Sequence, residues 1–457
     1  MSRPSCSLLL ALVVLVVSTM ACGGSSGTPV FIRASLASQR FRLANGLDVV
    51  LHPDPSFRHV AVNVRYEVGS KHDPPGRSGL AHLVEHLTFR TKPDRALDAF
   101  SLLEQSGSAT HNATTWTDAT CYFESVPSEE LSTALFVEAA RMARPLDGVD
   151  EAAFAAERAV VLNERRQRID NVPYANLEPL AKFILLERGP YGTPTIGFAN
   201  ELERLRLVDA ERFVASYYRP NNATLVVAGG FEPRRASALI HELFDAIPGG
   251  PIQPPPEASL GKTQRRLRVQ MQTGVDAPGV VIAWLGPPAG ARGWHELVLA
   301  SEVLGGWTKY SMRDSLHRIR ASIDSMDSSS ILFVHAELAR GASTEMVVRR
   351  LEQEIDQIMD PGFDIGLGAA KSHVIASQTL ELENILGRAD ALQTFVARYD
   401  DPNSIQAELH ELSALRRADL GDAVDRFLRH GKRVVVEAVP NTLAARAGDW
   451  PKLDELP

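Results

Sequence analysis

The feature that most constrains this chain is the pentapeptide His-Leu-Val-Glu-His at residues 82–86. In a helix, His82, Glu85 and His86 fall at positions i, i+3 and i+4 and therefore share one face. Apolar side chains occupy the opposite face: Leu80, Leu83, Val84 and Leu87. The sequence predicts a helix that buries its apolar back and presents two imidazoles and a carboxylate on the other side.

This grouping has a metal-binding interpretation and a plain structural one. Neutral imidazole is a good zinc ligand, and a carboxylate beside the metal can accept a proton from zinc-bound water. An amphipathic helix can also carry two histidines without function, and matches to short motifs include many false positives. The position of Glu85 gives the order His-x-x-Glu-His, which is the inverted zinc motif. The metal interpretation then requires a third ligand elsewhere.

A second helix, predicted for residues 150–170, supplies carboxylates that could complete such a site. It contains Glu151, Glu157 and Glu164. Glu157 and Glu164 are about two helical turns apart, so they lie on one stripe of the helix. Helix glutamates most often face solvent, and spacing alone does not choose between the candidates.

Several further motifs appear in a fixed order around these two helices. They are Asn45-Gly46-Leu47, Gly69-Ser70, Gly79-Leu80-Ala81, Asn112-Ala113-Thr114-Thr115, the run 157–164, Pro190-Tyr191-Gly192, Ile196-Gly197 and Tyr218-Arg219-Pro220-Asn221-Asn222. With this set the chain resembles the pitrilysin or insulinase-type zinc metallopeptidases, a family that includes the mitochondrial processing peptidases. The resemblance is strong over residues 36–250 and weaker over residues 262–440.

The resemblance implies a zinc endopeptidase that hydrolyses peptides or unfolded polypeptide segments and binds one zinc ion per chain. It implies the metal ligands His82, His86 and Glu164. It also implies two further catalytic carboxylates. Glu85 would accept a proton from zinc-bound water, and Glu157 would support the ligands from just outside the metal's coordination sphere.

The resemblance also implies a substrate-binding edge strand. Asn112, Ala113, Thr114 and Thr115 would lie on this strand, and an extended substrate would add to it through main-chain hydrogen bonds. Polar residues on an edge strand also prevent aggregation without binding anything. Both interpretations of these residues remain open.

The length of the chain predicts two domains, because 457 residues exceed the usual size of one hydrophobic core. A Pro/Gly-rich linker at residues 248–263 separates a zinc-motif domain, 36–247, from a domain without the motif, 264–440, and 441–457 form a tail. Blocks of apolar strands and helices predict the α+β class. Each domain is expected to be an α/β sandwich with a mainly antiparallel sheet and helices packed on one face. His295, which has no second histidine nearby, is predicted to be a surface residue.

One segment departs from the family pattern. Active members carry an arginine and a tyrosine in the second domain, soon after a Leu-Gly-Gly, and these bind the substrate carbonyl and stabilise the charged intermediate. In the plainest alignment His317 stands at the arginine position and Asp324 at the tyrosine position. An aspartate would repel a developing oxyanion. Arg318 or Arg320 could replace the arginine if the register shifts.

Two functional interpretations follow. In the first, the chain is the zinc-bearing subunit of a bacterial two-subunit peptidase, and a partner subunit of the same family supplies the missing Arg/Tyr pair. In the second, it is a non-catalytic scaffold or assembly subunit of the same fold with a vestigial or structural metal site. The complete zinc motif and Glu157 favour the first, whereas His317 and Asp324 favour the second.

The first residues predict export to the bacterial cell envelope. The apolar run 8–17 is too short to span a membrane and is typical of a signal peptide. Residues 1–22 then end in a sequence that resembles a lipoprotein cleavage box, and 23–35 form a Gly/Ser-containing tether. We expect lipid attachment at Cys22 and anchoring to the outer membrane on its periplasmic side. Thr19 stands where leucine is typical, so secretion to the periplasm is the alternative.

Cysteine content and net charge bear on the role of Cys121 and on which classes of partner the chain can bind. If Cys6 is removed and Cys22 is lipidated, Cys121 is the only thiol left, and its alternating strand context predicts a buried structural residue. The formal net charge of −8, with both signs interspersed, disfavours a nucleic-acid partner. The lipid anchor is the only expected contact with a membrane.

Overall fold

The computed structural model describes residues 36–94, 96–187, 189–254, 266–312, 314–360 and 362–440. The predicted signal peptide, tether and tail lie outside the described residues, as does the part of the predicted linker after Pro254. Below, residues 36–254 are called the first half and residues 266–440 the second half.

Strands and helices alternate along both halves. The strands are β1 Gln39–Arg42, β2 Asp48–Pro53, β3 His59–Tyr66, β4 Thr110–Thr115, β5 Thr120–Pro127, β6 Ala223–Gly229, β7 Arg266–Thr273, β8 Gly279–Gly286, β9 Leu316–Ser325, β10 Ser330–Leu338 and β11 Arg433–Pro440. The helices are α1 Leu80–Thr88, α2 Ala99–Gln105, α3 Leu131–Ala143, α4 Glu151–Arg165, α5 Leu177–Leu185, α6 Ala199–Leu202, α7 Leu207–Tyr217, α8 Pro233–Phe244, α9 Trp294–Ser311, α10 Thr344–Ile358, α11 Asp364–Glu381, α12 Ile385–Tyr399, α13 Ile405–Ala414 and α14 Arg417–Ala423. π-helical turns extend α4 at Arg166–Asp170 and α14 at Val424–Arg429.

The two halves contain sheets of the same strand order. The first sheet runs β1-β2-β6-β3-β5-β4, and the second runs β7-β11-β8-β10-β9. Apart from β1, each strand of the first sheet has a counterpart in the second, and β4 and β9 are the equivalent edge strands. One parallel pair occurs in each sheet, β2 with β6 and β7 with β11, and the other pairs are antiparallel. The α+β fold class with two similar sheets is confirmed.

Each sheet packs its own helices on one face and one helix of the other half on the opposite face. In the first half, α1, α3, α7 and α8 cover one face, and α12 of the second half covers the other. In the second half, α9, α10 and α14 cover one face, and α5 of the first half covers the other. Because both faces are covered, β6 is buried at every position, which explains its almost unbroken apolar sequence.

Helices α5 and α12 each pack on the sheet of the other half, and we call them the exchanged helices. They bind the two halves to each other. Leu177, Leu180 and Leu185 of α5 are each at most 2% exposed against the second sheet. Full burial of a leucine side chain contributes about 1.5–3 kcal/mol, so the exchange is a substantial part of the folding energy. The domain limits 36–247 and 264–440 stay a prediction. Among the described residues, none of the helices combines the length and the apolar character needed to cross a bilayer.

Candidate metal centre

Helix α1 holds the His-x-x-Glu-His motif firmly against the core of the first half. Gly79 precedes the helix at a φ of 83°, a backbone conformation that favours glycine. The Asp73 carboxylate accepts hydrogen bonds from the backbone N–H groups of Gly79 at 2.7 Å and Ala81 at 2.8 Å, so it caps the helix N-terminus. The apolar side chains on the back of the helix are at most 1% exposed: Leu80, Leu83, Val84 and Leu87. The histidine-bearing face is therefore held in a defined direction.

Three side chains from two helices converge on this face. His82, His86 and Glu164 each offer one ligand atom within 4.8 Å of the others. Glu164 Oε2 lies 3.3 Å from His86 Nε2 and 3.8 Å from His82 Nε2. Of the candidate carboxylates on α4, Glu151 is exposed in the first turn and takes no part in the cluster. The three residues that the resemblance implied as ligands are thus brought together, and their ligand role stays a prediction.

The chemistry of this donor set fits a zinc ion. Burial lowers the pKa of His82 to about 4, so its ring is neutral at pH 7, as a metal ligand must be. A hydrogen bond from His86 Nε2 lowers the pKa of Glu164, which is therefore ionised. Although burial opposes it, the same hydrogen bond raises the pKa of His86, so a metal ion bound at Nε2 would replace that proton. His82 Nδ1 is buried without a hydrogen-bond partner among the described residues, and the 3.8 Å from its Nε2 to Glu164 exceeds hydrogen-bond length. Two imidazoles and one carboxylate are a typical catalytic zinc set.

Glu157 lies on the other side of the His86 ring from Glu164. Its Oε2 is 3.7 Å from His86 Nδ1, whereas Glu164 faces Nε2. Its Oε1 accepts a hydrogen bond from Arg90 Nε at 2.7 Å. The distance to His86 Nδ1 exceeds hydrogen-bond length, so the contact is electrostatic; a carboxylate on this side of the ring favours a proton on Nδ1 when Nε2 has lost its own. The role of Glu157 in orienting His86 stays a prediction.

Glu85, on the same helix as His82 and His86, makes a hydrogen bond to the edge strand of the first sheet. Its Oε2 accepts a hydrogen bond from Thr115 Oγ1 at 2.5 Å, and its side chain is largely buried. Burial raises the pKa of Glu85, although the hydrogen bond from Thr115 opposes this. A carboxylate with a raised pKa is a better proton acceptor near neutral pH. This direction of the pKa is the one a general base needs, and the general-base role of Glu85 stays a prediction.

The predicted substrate-binding residues lie on β4, the edge strand beside Glu85. Asn112 is exposed, Ala113 is buried, and Thr114 and Thr115 are partly buried. Asn112 Oδ1 accepts a hydrogen bond from the backbone N–H of Ala113 at 2.9 Å, an interaction that an added strand would have to replace. The edge position is compatible with substrate pairing, and the binding role of these residues stays a prediction.

The residues of the departing segment lie on β9. Arg318, Arg320 and Asp324 alternate with Ile319, Ala321 and Ile323, which pack against the core of the second half. The pairing of β9 with β10 is irregular at His317, because Arg318 pairs with Glu337 and Leu316 pairs with Leu338. His317 is exposed at this irregularity, whereas the neighbouring Leu316 packs against the core.

Asp324 has a direct partner of opposite charge. Its Oδ2 lies 2.6 Å from Lys182 Nζ on the exchanged helix α5. On the same side of β9, Arg320 lies 3.6 Å from Glu178, also on α5. Lys182 neutralises the aspartate, so its repulsion of a nearby anion is weaker than the sequence suggests.

The prediction that His295 is a surface residue is wrong. Its side chain is buried at the start of α9, and Nδ1 lies 3.4 Å from Glu411 of α13. The sequence carries no sign of this contact, because α13 follows more than a hundred residues later. Cys121, by contrast, is buried as predicted, and burial raises its pKa to about 12, so its thiol is unreactive.

Three residues near the site were not anticipated from the sequence. Asp73 caps α1 from outside the usual local capping positions, so no spacing rule identifies it. Arg90, in the turn after α1, pairs with Glu157 of α4, which is a tertiary contact. Arg168 pairs with Glu164 at 2.7 Å, and the i,i+4 spacing of this pair was a signal that could have been used.

Two sheets of common strand order, with the His-x-x-Glu-His helix beside one edge strand, define a two-sheet α+β protein whose first half carries a zinc-type set of ligands. A family model described as Insulinase (Peptidase family M16) matches residues 48–194. A second model, described as Peptidase M16 inactive domain, matches residues 205–364. The chain belongs to peptidase family M16, the insulinase family.

Curated relatives carry zinc-protease names. The zinc protease PqqE of Helicobacter pylori is 31% identical over 233 residues, covering 49% of this chain and 52% of that protein. That match spans about half the length of the relative. An uncharacterized zinc protease of Mycobacterium bovis is 26% identical over 436 residues, covering 91% of this chain and 98% of that protein.

Solved structures support the fold at low sequence identity. A protease from Helicobacter pylori has a TM-score of 0.81 at 22% identity, covering 88% of this chain and 100% of that chain. The peptidase M16 inactive domain from Pseudomonas fluorescens has a TM-score of 0.79 at 16% identity, with coverage of 90% and 99%. The periplasmic protease PqqL from Escherichia coli has a TM-score of 0.72 at 17% identity, covering 92% of this chain and 50% of that chain.

Proposed function

We propose that this chain is a zinc-dependent endopeptidase subunit that hydrolyses peptides or unfolded polypeptide segments. The observation that carries the proposal is the convergence of His82, His86 and Glu164, with Glu85 hydrogen-bonded to the edge strand beside them. A metal site, a proton acceptor and an unpaired strand edge are the parts that hydrolysis of an extended chain requires.

The residues of the site divide the work of hydrolysis between them. When bound, zinc would act as a Lewis acid toward the substrate carbonyl and the attacking water. His82, His86 and Glu164 would hold it, and Glu157 would keep the His86 ring in position. Glu85 takes a proton from the water as its oxygen bonds to the carbonyl carbon. The same proton is then given to the leaving nitrogen as the C–N bond breaks.

The edge strand orients the bond that is cleaved. A substrate that pairs with β4 would run past Thr115, whose hydroxyl also holds the Glu85 carboxylate. One residue therefore links the register of the substrate to the position of the base. This coupling is useful because small displacements of a general base reduce the rate of proton transfer strongly.

We propose further that full activity needs a partner subunit with the Arg/Tyr pair. One observation on this chain supports the proposal: the residue at the tyrosine position, Asp324, is a carboxylate paired with Lys182 and offers no hydrogen-bond donor to a developing oxyanion. In addition, the fold of this chain accounts for only half of the Escherichia coli periplasmic protease, which leaves room for a second subunit of the same fold.

The partner requirement predicts slow hydrolysis by the isolated chain. Adding a family member with an intact Arg/Tyr pair should raise kcat/KM on an unstructured fluorogenic peptide by about 100- to 1,000-fold, the usual contribution of one oxyanion donor. A partner whose arginine and tyrosine are replaced is the control and should not activate. Equal activity with and without the partner would rule out the two-subunit proposal.

The scaffold interpretation is the second candidate function, and it is favoured by His317 and Asp324, which stand where active members carry an arginine and a tyrosine. In this case the chain would bind zinc, or no metal, and assemble with a partner without cleaving peptides. The same assay separates the two: a stable complex with an intact partner that hydrolyses no peptide supports the scaffold.

We propose that the chain is exported to the periplasm and anchored by a lipid on Cys22. Apart from the sequence itself, support comes from the similar fold of a periplasmic Escherichia coli protease. Replacing Cys22 with Ser should move the protein from the membrane fraction to the soluble periplasmic fraction without changing its fold. An unchanged membrane fraction would contradict lipid attachment at this residue and would leave the peptidase proposal unaffected.

A further inference from the structure

The turns at the ends of the two equivalent edge strands contact each other. Residues 116–119 connect β4 to β5, and residues 326–329 connect β9 to β10. The backbone N–H of Asp327 in the second turn donates to Asp118 Oδ2 in the first turn at 3.1 Å. Lys71 lies between the two carboxylates, with Nζ 2.7 Å from Asp118 Oδ1 and 2.6 Å from Asp327 Oδ2.

A second lysine makes a parallel connection close by. Lys182 Nζ donates to Thr117 Oγ1 at 3.0 Å and to Asp324 Oδ2 at 2.6 Å. Each of the two lysines therefore joins the turn after β4 to a carboxylate of the second half. The side chains of Lys71 and Lys182 are only 10% and 13% exposed, whereas those of Asp327 and Asp324 are 58% and 33% exposed. Solvent therefore screens the Lys182–Asp324 pair less than the Lys71–Asp327 pair.

The same turn is held from its other side by the segment before α1. The backbone N–H of Ser70 donates to Trp116 O at 2.9 Å, and that of Lys71 donates to Thr117 O at 3.0 Å. Gly69 leaves no space between them, because a Cβ on this residue would lie 2.3 Å from Trp116 O. The turn is thus clamped between the first half and the hairpin of the second half.

Thr115 comes immediately before this turn and is the residue whose hydroxyl contacts Glu85. A displacement of the turn would move Thr115, and with it the C-terminal end of β4. The carboxylates of the second half are therefore linked to the base of the first half through one lysine each and a short stretch of backbone.

We propose that Asp324 and Asp327 are positioning residues. Through Lys182 and Lys71 they hold the end of β4 in register with Glu85. This inference rests on the proposed peptidase function. By this inference, the second half, which has no zinc motif, helps to position the active site of the first half. Asp324 then has a structural role of its own and is more than a replacement for the family's tyrosine.

The first test is hydrogen–deuterium exchange on the full chain, with and without added zinc. In an Asp324→Asn/Asp327→Asn variant, amides of residues 112–120 should exchange about 3- to 10-fold faster, consistent with the loss of ion pairs worth about 1 kcal/mol. The control is Glu352→Gln, which breaks a second-half ion pair with Arg433 away from the turn. Unchanged exchange at 112–120 would overturn the proposal. Because exchange needs no catalysis, this result does not depend on whether the chain is a peptidase.

The second test separates positioning from general stability. With an activating partner present, Asp324→Asn should reduce kcat more than it raises KM, because the base is displaced while most of the strand still binds peptide. The charge-swapped pair Lys182→Asp/Asp324→Lys should recover most of the lost kcat. If Asp324→Tyr raised activity instead of lowering it, Asp324 would be a lost catalytic position and the positioning role would be refuted. If the charge-swapped variant does not fold, the kcat and KM of Asp324→Asn alone decide the test, because this substitution removes only one partly exposed carboxylate.

Discussion

Glu85→Gln is expected to abolish peptide hydrolysis while leaving zinc bound. Glutamine has the size of glutamate and can still accept the hydrogen bond from Thr115, so the geometry of α1 and β4 should be kept. It cannot take a proton from water, and loss of a general base typically costs about 100- to 10,000-fold in rate. The measurements are kcat/KM on a fluorogenic peptide with the partner present, and zinc content of the purified variant.

Two comparisons make this result interpretable. Glu104→Gln changes an exposed glutamate on the neighbouring helix α2 and should retain full activity. Thr115→Val keeps Glu85 but removes its hydrogen bond from Thr115, so the kcat/KM of this variant should lie between those of wild type and Glu85→Gln. If Glu85→Gln kept activity within about tenfold of wild type, Glu85 would not be the base, since this is far less than a general base normally contributes.

The parts of this site that could be predicted from the sequence depend on local periodicity. His82, Glu85 and His86 share a face because the helix has 3.6 residues per turn, and the apolar residues between them specify which face is buried. The strands were recognisable for the same reason. β6 and β8 are apolar runs bounded by turns, which predicts strands covered on both faces.

The choice among the glutamates of α4 could not be made from spacing. Glu157 and Glu164 lie on the same stripe, and which one meets Nε2 of His86 depends on how α1 and α4 cross. That is a tertiary property. The resemblance to a family, not the periodicity, selected Glu164, and the structure puts its carboxylate nearest the two Nε2 atoms.

The exchange of α5 and α12 was invisible in the sequence for a related reason. Both helices have apolar stripes that any nearby sheet could bury, and nothing in the pattern identifies the sheet of the other half as their partner. The environment of Asp324 follows from this exchange, because Lys182 reaches it only from α5. An interpretation of β9 that leaves out α5 therefore overestimates the net negative charge around Asp324.

Glu164→Ala is expected to lose zinc. Two imidazoles on one helix would remain, and a two-ligand site binds zinc far more weakly than one with three protein ligands. The substitution also leaves Arg168 without its partner at 2.7 Å, which adds an unbalanced positive charge beside the vacated position. Both effects act in the same direction, against a divalent cation.

The expected loss can be ranked against neighbouring glutamates on the same helix. Glu157→Gln should weaken zinc binding by only about 10- to 100-fold, the usual effect of a residue that supports a ligand without binding the metal. Glu151→Ala, in the exposed first turn of α4, should have no effect. Competition with a chromophoric chelator gives the three affinities, and circular dichroism checks that each variant is folded.

The order of the three affinities tests the coordination sphere itself. If Glu164 is the third ligand, the Glu164→Ala variant must bind zinc more weakly than Glu157→Gln. Removing a ligand lowers the zinc affinity more than removing a residue that supports a ligand. The reverse order would mean that Glu157 binds the metal and that α4 turns in the zinc-bound protein. Equal affinities for Glu164→Ala and Glu151→Ala would mean that two histidines suffice, and then neither the zinc site nor the hydrolysis built on it would have the form described here.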